Sequence, residues 1–151
     1  MKHNSHLTAI ARKTLPVPTR WLMAQGLLVG KVMDYGCGKC ASVNPPGWFN
    51  YDPHYQPNAN FGTDRFDTIV CNYVLCTLPS VERMDVLKHL QVLLRLNGVA
   101  YVSVRNDRPK SGWGYSSRGT YQGRVRKLPL ECIRKTSQYR LYRLTRSTIL
   151  K

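Results

Sequence analysis

The sequence predicts an α/β protein built on a doubly wound, mostly parallel sheet with an antiparallel edge toward its C-terminal end. Three observations carry this. Short apolar runs, "KVMDYG", "WFNYD", "FDTIVCNYVL" and "VAYVSV", are separated by helical or crossover segments, the alternation that builds parallel sheets. The centre of "FDTIVCNYVL" is apolar on both parities, as a strand buried on both faces must be. The last third instead carries "GTYQGRVRKLPL" and "QYRLYRLT", whose single wet face suits an antiparallel edge.

In chain order, Pro16 and Pro18 precede a short helical run that ends near Gly26. Gly30 leads into the first strand, and "PHYQPNAN" ends the second. Ser80 is placed to cap the next helix, with Glu82 at the positive end of its dipole. Val86, Leu87, Leu90, Leu93 and Leu94 recur at helical spacing, and Asn97–Gly98 is expected to close that helix in the left-handed conformation. The chain divides as a single domain: 1–30 a helical cap, 31–104 a ligand-binding core, 105–151 a basic substrate-side loop with edge strands.

At 151 residues, 42% apolar and 21% charged, the composition is that of one globular domain with a real core. No apolar run is long enough to cross a membrane, and "MKHNSHLTAIARK" lacks the hydrophobic centre of an export signal, so a cytoplasmic location is expected. Five cysteines, an odd number sitting mostly in apolar segments, fit reduced thiols better than a disulfide framework. The net charge is +15, and residues 105–151 hold 13 Lys/Arg against 2 Asp/Glu. Such a basic end, interleaved with Trp113, Tyr115, Tyr121, Tyr139 and Tyr142, suggests nucleic acid as partner. The plainer alternative is a solvated basic face.

In a doubly wound sheet, ligands bind beyond the carboxyl ends of the strands, where the strand order reverses. Asp34, Tyr35, Gly36, Cys37 and Gly38 sit at the end of the first strand, and the two glycines allow a tight turn with room for a ligand close by. Asp52 ends the second strand, where a carboxylate can accept both hydroxyls of a ribose.

With these residues in place the chain resembles the class I S-adenosylmethionine-dependent methyltransferases. Asp34-Tyr35-Gly36-Cys37-Gly38 matches their first motif, Asp52 their ribose-binding acid, Phe66 through Leu78 their fourth strand, and Leu93–Gly98 their "LLKPGG" turn. More narrowly it is similar to small bacterial and phage-type members with "DYGCGKG", "GYDPHY", "CNYVL", "SVRRD" and "GTYQ", read here as "DYGCGKC", "NYDPHY", "CNYVL", "SVRND" and "GTYQ". The resemblance implies a minimal Rossmann-like fold and S-adenosyl-L-methionine as cofactor. It implies cofactor contacts from Asp34, Tyr35, Gly36, Cys37, Gly38, Asp52, Pro53, Cys71 and Asn72. Asn72 and Tyr73 would border the transferred methyl. Three departures stand out: Cys40 replaces the motif's third glycine and would crowd the first helix turn; Pro45–Pro46 truncate the first crossover helix; and the third-strand region is missing between Asp52 and Phe66.

"NPPGWF" resembles the "NPPY" signature of adenine-amine methyltransferases but lies between the first and second strands, so it reads as a loop. Cys37 and Cys40 form a C-x-x-C with no second pair to complete a zinc site, and no metal is expected. The Cys71 and Cys76 side chains are expected in the core. His54 either acts as a base or caps the loop after Asp52. Arg105, Asp107, Tyr121 and Gln122 are placed by their loop to touch substrate; alternatively Arg105 pairs with Asp107, while Tyr121 and Gln122 hold the edge strand. Arg124, Arg126 and Lys127 complete the candidate substrate-binding set. The expected activity is methyl transfer, with nucleic acid the preferred acceptor. A small-molecule or protein acceptor, or a non-catalytic cofactor or nucleic-acid binder, are the alternatives.

Overall fold

Successive side chains of a strand go to opposite faces of its sheet, and that parity organises this molecule. The computed structural model describes residues 4–57, 63–107, 113–117, 119–125 and 127–151. Its strands are β1 (Val32–Tyr35), β2 (Phe49–Tyr51), β3 (Phe66–Asn72), β4 (Leu94–Arg105), β5 (Gly114–Tyr115), β6 (Tyr121–Gln122), β7 (Glu131–Lys135) and β8 (Tyr139–Thr145). Six of them form one sheet in the order β2-β1-β3-β4-β8-β7, and β5 pairs with β6 in a separate ribbon. The first four of that order run parallel; β8 and β7 add antiparallel.

Both faces are covered. Ile69, Cys71, Ala100, Val102, Tyr142 and Leu144 face Leu87, Leu90 and Leu93 of α2 (Ser80–Leu93). The opposite parity, Val70, Tyr101, Tyr139 and Leu141, packs on Leu22 of α1 (Val17–Ala24). Burying each of the three α2 leucines contributes about 1.5–3 kcal/mol. The expected doubly wound sheet with its antiparallel C-terminal edge is therefore the fold observed, a minimal Rossmann-like α/β architecture.

The structure corrects several local expectations. Residues 36–48, between β1 and β2, carry only turns, so the first crossover helix is absent rather than shortened. Thirteen residues interrupted by Pro45–Pro46 leave no length for it. Pro79, not Ser80, occupies the N-cap of α2, and its carbonyl accepts the Glu82 amide at 3.0 Å. Asn97–Gly98 does not close the helix, because Leu94 is already extended and opens β4. Gly98 is needed for another reason: a Cβ there would lie 2.7 Å from the Phe66 carbonyl oxygen. "GTYQGRVRKLPL" does not form the sheet edge. Val125 and Leu128 bury in the α2-side core and draw this segment across the sheet, and the edge is β7. Between Asp52 and Phe66 the described residues add only the Asp52–Gln56 bridge, in keeping with a missing third strand.

Candidate functional site

The strand order reverses between β1 and β3: the chain passes from β1 outward to β2, then returns to β1's other side. The crevice beyond their carboxyl ends opens into a cavity of about 520 Å³. Asp34, Tyr35, Gly36, Cys37 and Gly38 line it from β1, Asp52, Pro53 and His54 from β2, and Asn72 and Tyr73 from β3. These sequence-predicted residues are brought together. Cys71 is not among them: it is fully buried in the core, on the other parity from Asn72.

Tyr51 holds the glycine turn, its carbonyl accepting the amides of Gly36 (2.7 Å) and Cys37 (2.9 Å). Gly36 and Gly38 take φ of +75° and +56°, and a Cβ on Gly36 would strike the Val74 side chain. Asp52 locks the turn from the other side. Its Oδ2 accepts the Gly38 amide at 2.9 Å, and its Oδ1 accepts those of His54 (2.8 Å) and Tyr55 (3.0 Å). Three of a carboxylate's roughly four acceptor positions are thus filled by backbone. The two-hydroxyl grip on a ribose, expected from the sequence, has one position left.

Asp34 is buried, with Asn44 Nδ2 donating to its Oδ2 at 2.8 Å. Burial pushes its carboxyl up to about 6, with the hydrogen bond from Asn44 opposing the shift and the Asp52 charge adding to it. Asn44 itself belongs to "NPPGWF", which the structure places in turns, as a loop. The Cys37 thiol is pushed up to about 12 by burial and by Asp34 and Asp52 nearby. Cys40 is raised by burial too, with the Arg12 guanidinium beside it opposing. Burial thus disfavours the thiolate form at both cysteines, which weighs against a nucleophilic role for this C-x-x-C. Cys40 lines the cavity rather than crowding a helix turn, since no helix starts there. Among the described residues, no group of three or more His, Cys, Asp or Glu is placed to hold a metal ion.

Asn72 is fixed at both ends of its amide. Nδ2 donates to Thr19 Oγ1 at 2.7 Å and Oδ1 accepts from Ser103 Oγ at 2.8 Å, tying β3 to α1 and β4. Tyr73 follows in the left-handed conformation, φ +60°, with its amide on the Ser103 carbonyl at 2.9 Å. A non-glycine residue held there is strained, and such strain gathers at binding sites. His54 stacks on His6, ring centroids 4.0 Å apart, while its own amide bonds Asp52.

A second cavity, of about 720 Å³, adjoins the first and shares Thr8, Ile10, Arg12, Tyr73 and Thr77 with it. Arg105, Asp107 and Gln122 line this one. Arg105 and Asp107 pair through two contacts of 2.9 Å, the alternative in which they bind each other. Tyr121 and Gln122 form β6 of the ribbon, not the sheet edge. Arg124 and Lys127 are exposed and line neither cavity; Arg126 lies outside the described residues.

No family model matches the chain, and no curated protein matches it in sequence. Similar solved structures do exist. Magnesium protoporphyrin IX methyltransferase from Synechocystis PCC 6803 with bound SAH aligns at TM-score 0.49 and 19% identity, covering 83% of this chain and 78% of that one. The CcbJ methyltransferase from Streptomyces caelestis aligns at TM-score 0.47 and 16% identity, covering 68% and 55%. PKMT2 from Rickettsia typhi in complex with AdoHcy aligns at TM-score 0.37 and 23% identity, covering 53% of this chain and 22% of that one.

Sequence reasoning placed the stretch that begins at Arg12, "RKTLPVPTRW", on the substrate side, but missed the wall formed by Ser5, His6, Thr8 and Ala9, and the two acids of the first α2 turns, Glu82 and Asp85. The acids carried a signal. They stand three apart, on one helix face, directly after the strand that borders the crevice. The N-terminal wall carried none, because it is held by contacts distant in sequence, such as Tyr55 Oη donating to the His6 carbonyl at 3.0 Å.

Proposed function

We propose that this protein is an S-adenosylmethionine-dependent methyltransferase with the cofactor in the first cavity and the acceptor in the second. One observation carries the reading. Four of the eight acidic residues of a chain with net charge +15, Asp34, Asp52, Glu82 and Asp85, line a single cavity at the switch point of a doubly wound sheet. Among the described residues these four acids face two cations on the lining, Arg12 and Lys39, and the acidic surplus favours a cationic ligand; S-adenosylmethionine presents both a sulfonium and an ammonium. When bound, this cofactor supplies a methyl already activated for transfer. The chain's own task is then alignment. Asp34 and the Gly36–Gly38 turn hold the methionine end, Asp52 with Pro53 borders the ribose, and the tethered Asn72 with Tyr73 forms the passage to the second cavity. Nucleic acid is the acceptor class best supported, because the charge of residues 105–151 suits a polyanion.

The test begins with calorimetric titration of S-adenosylmethionine and S-adenosylhomocysteine, which should bind one per chain. A cell extract is then incubated with the protein and methyl-labelled cofactor and fractionated into nucleic acid, protein and small molecules. Label in the nucleic-acid fraction supports the full reading. Label elsewhere reassigns the acceptor; tight binding without transfer leaves a cofactor binder.

A further inference from the structure

The two adjoining cavities differ in chemistry. The first is acid-lined. The second is walled by two aromatic rings of the 113–115 segment, Trp113 and Tyr115, by the amides Gln122 and Gln138, and by Arg105, whose charge Asp107 offsets. Trp113 is half-buried and stacks on no other ring among the described residues. Gln122 Oε1 is buried with no hydrogen-bond partner, although the residue lines the cavity. The terminal torsion of glutamine is broad and nearly two-fold, so about a half-turn exchanges the oxygen and nitrogen edges of this amide. Arg12, at the shared wall, makes no ion pair with an acid among the described residues.

A flat, uncharged ring with donor and acceptor edges, joined to an anionic chain, matches these walls. We infer that the second cavity receives a single base everted from single-stranded nucleic acid, with Trp113 as its stacking face and Gln122 and Gln138 reading its edge. Arg12 then lies where the backbone phosphate of that nucleotide enters. A single strand needs no unpairing before a base turns out, which favours it over duplex. A lone hydrophobic metabolite would leave the two amides unanswered, and a strongly acidic one would want more than Arg12.

This inference rests on the methyltransferase reading for why the cavities adjoin, but its test does not require transfer. Binding of fluorescently labelled single-stranded homopolymers of deoxyadenosine and deoxycytidine is compared with an abasic oligomer of equal length, without cofactor. At least one base-bearing strand should bind about tenfold or more tighter than the abasic one, because a stacked base adds to phosphate contacts. Trp113→Ala and Gln122→Ala should each erase most of that advantage, and Trp113→Phe should restore it. All three should bind S-adenosylhomocysteine as the parent does, which also shows that they are folded. Equal binding of base-bearing and abasic strands, or an advantage that survives Trp113→Ala, overturns the inference. Failure of the parent to bind S-adenosylhomocysteine would sink the methyltransferase reading instead, whatever the strands do.

Discussion

Asp52 reaches back across fourteen residues to take the Gly38 amide at 2.9 Å, so the acid at the end of β2 is a strut of the glycine turn that ends β1. With no crossover helix between the two strands, this bond and the Tyr51 carbonyl are what fix the turn. Asp52→Ala should therefore lower thermal stability by about 1–2 kcal/mol as well as weaken binding of S-adenosylhomocysteine at least about tenfold. Melting curves and calorimetry on the same variant would check both. Weakened binding at unchanged stability would mean that the acid serves the ligand alone.

Asp34 makes pH an instrument. Its native carboxyl, raised to about 6 from an ordinary 3.8, keeps a proton that the unfolded chain has released between those values. Its stabilising contribution is thus present below about pH 4 and lost as pH rises through about 6, worth on the order of 3 kcal/mol. Asp34→Asn should remove this step, seen in the difference between parent and variant urea midpoints across that range. A cationic ligand favours the ionised form, so cofactor affinity should rise over the same window in the parent and stay flat in Asp34→Asn.

The Asn72 amide predicts a split between rate and affinity. Thr19→Val keeps the shape of the α1 contact but removes the hydroxyl that Asn72 Nδ2 donates to. Freed at that end, Asn72 should swing enough to cut kcat about tenfold while KM for cofactor moves less than about threefold. Asn72→Ala should cost about 10²-fold, and the double variant no more than Asn72→Ala, as expected if Thr19 acts through Asn72. Additive losses would separate the two residues.

Gly98→Ala should cost about 2 kcal/mol or more, because its Cβ would meet the backbone carbonyl of Phe66, which cannot move without breaking the β3–β4 pairing. Gly26→Ala, at φ +70° with open space around it, should cost about 1 kcal/mol from the backbone alone. Chemical denaturation ranks the pair; the reverse order would contradict this account.

The legible parts of this chain were those governed by local pattern. The four parallel strands, α1 with its Gly26 stop, and the convergence of Asp34, Gly36, Gly38 and Asp52 follow from apolar runs and turn residues, while Asn72 was added to them by the family resemblance. What tertiary packing decides was not legible. Asn97–Gly98 looked like a helix stop, but its glycine answers to the Phe66 carbonyl on a neighbouring strand. "GTYQGRVRKLPL" had the alternation of an edge strand, yet Val125 and Leu128 gain more by entering the core. β7, "ECIRK", is short and mostly polar, and it is a strand because β8 offers it a partner. The cavity walls from residues 5–12 have no periodic signature; they are placed by His54 and Tyr55, some fifty residues away.

The two ends of the sheet also bear on how strands of other chains are kept from adding to it. An edge strand's outer amides and carbonyls are a template for pairing with another chain, the usual route to aggregation through added strands. β2, at one end of the order, is half-buried and three residues long, with Pro46 before it and Pro53 just after. An incoming strand would find room for very few hydrogen bonds before a proline interrupts the ladder. At the opposite rim β7 carries Glu131 and Lys135, exposed charged residues that penalise a like strand laid alongside. Short length with flanking prolines at β2, and charge at β7, are features of this six-stranded sheet that discourage added strands.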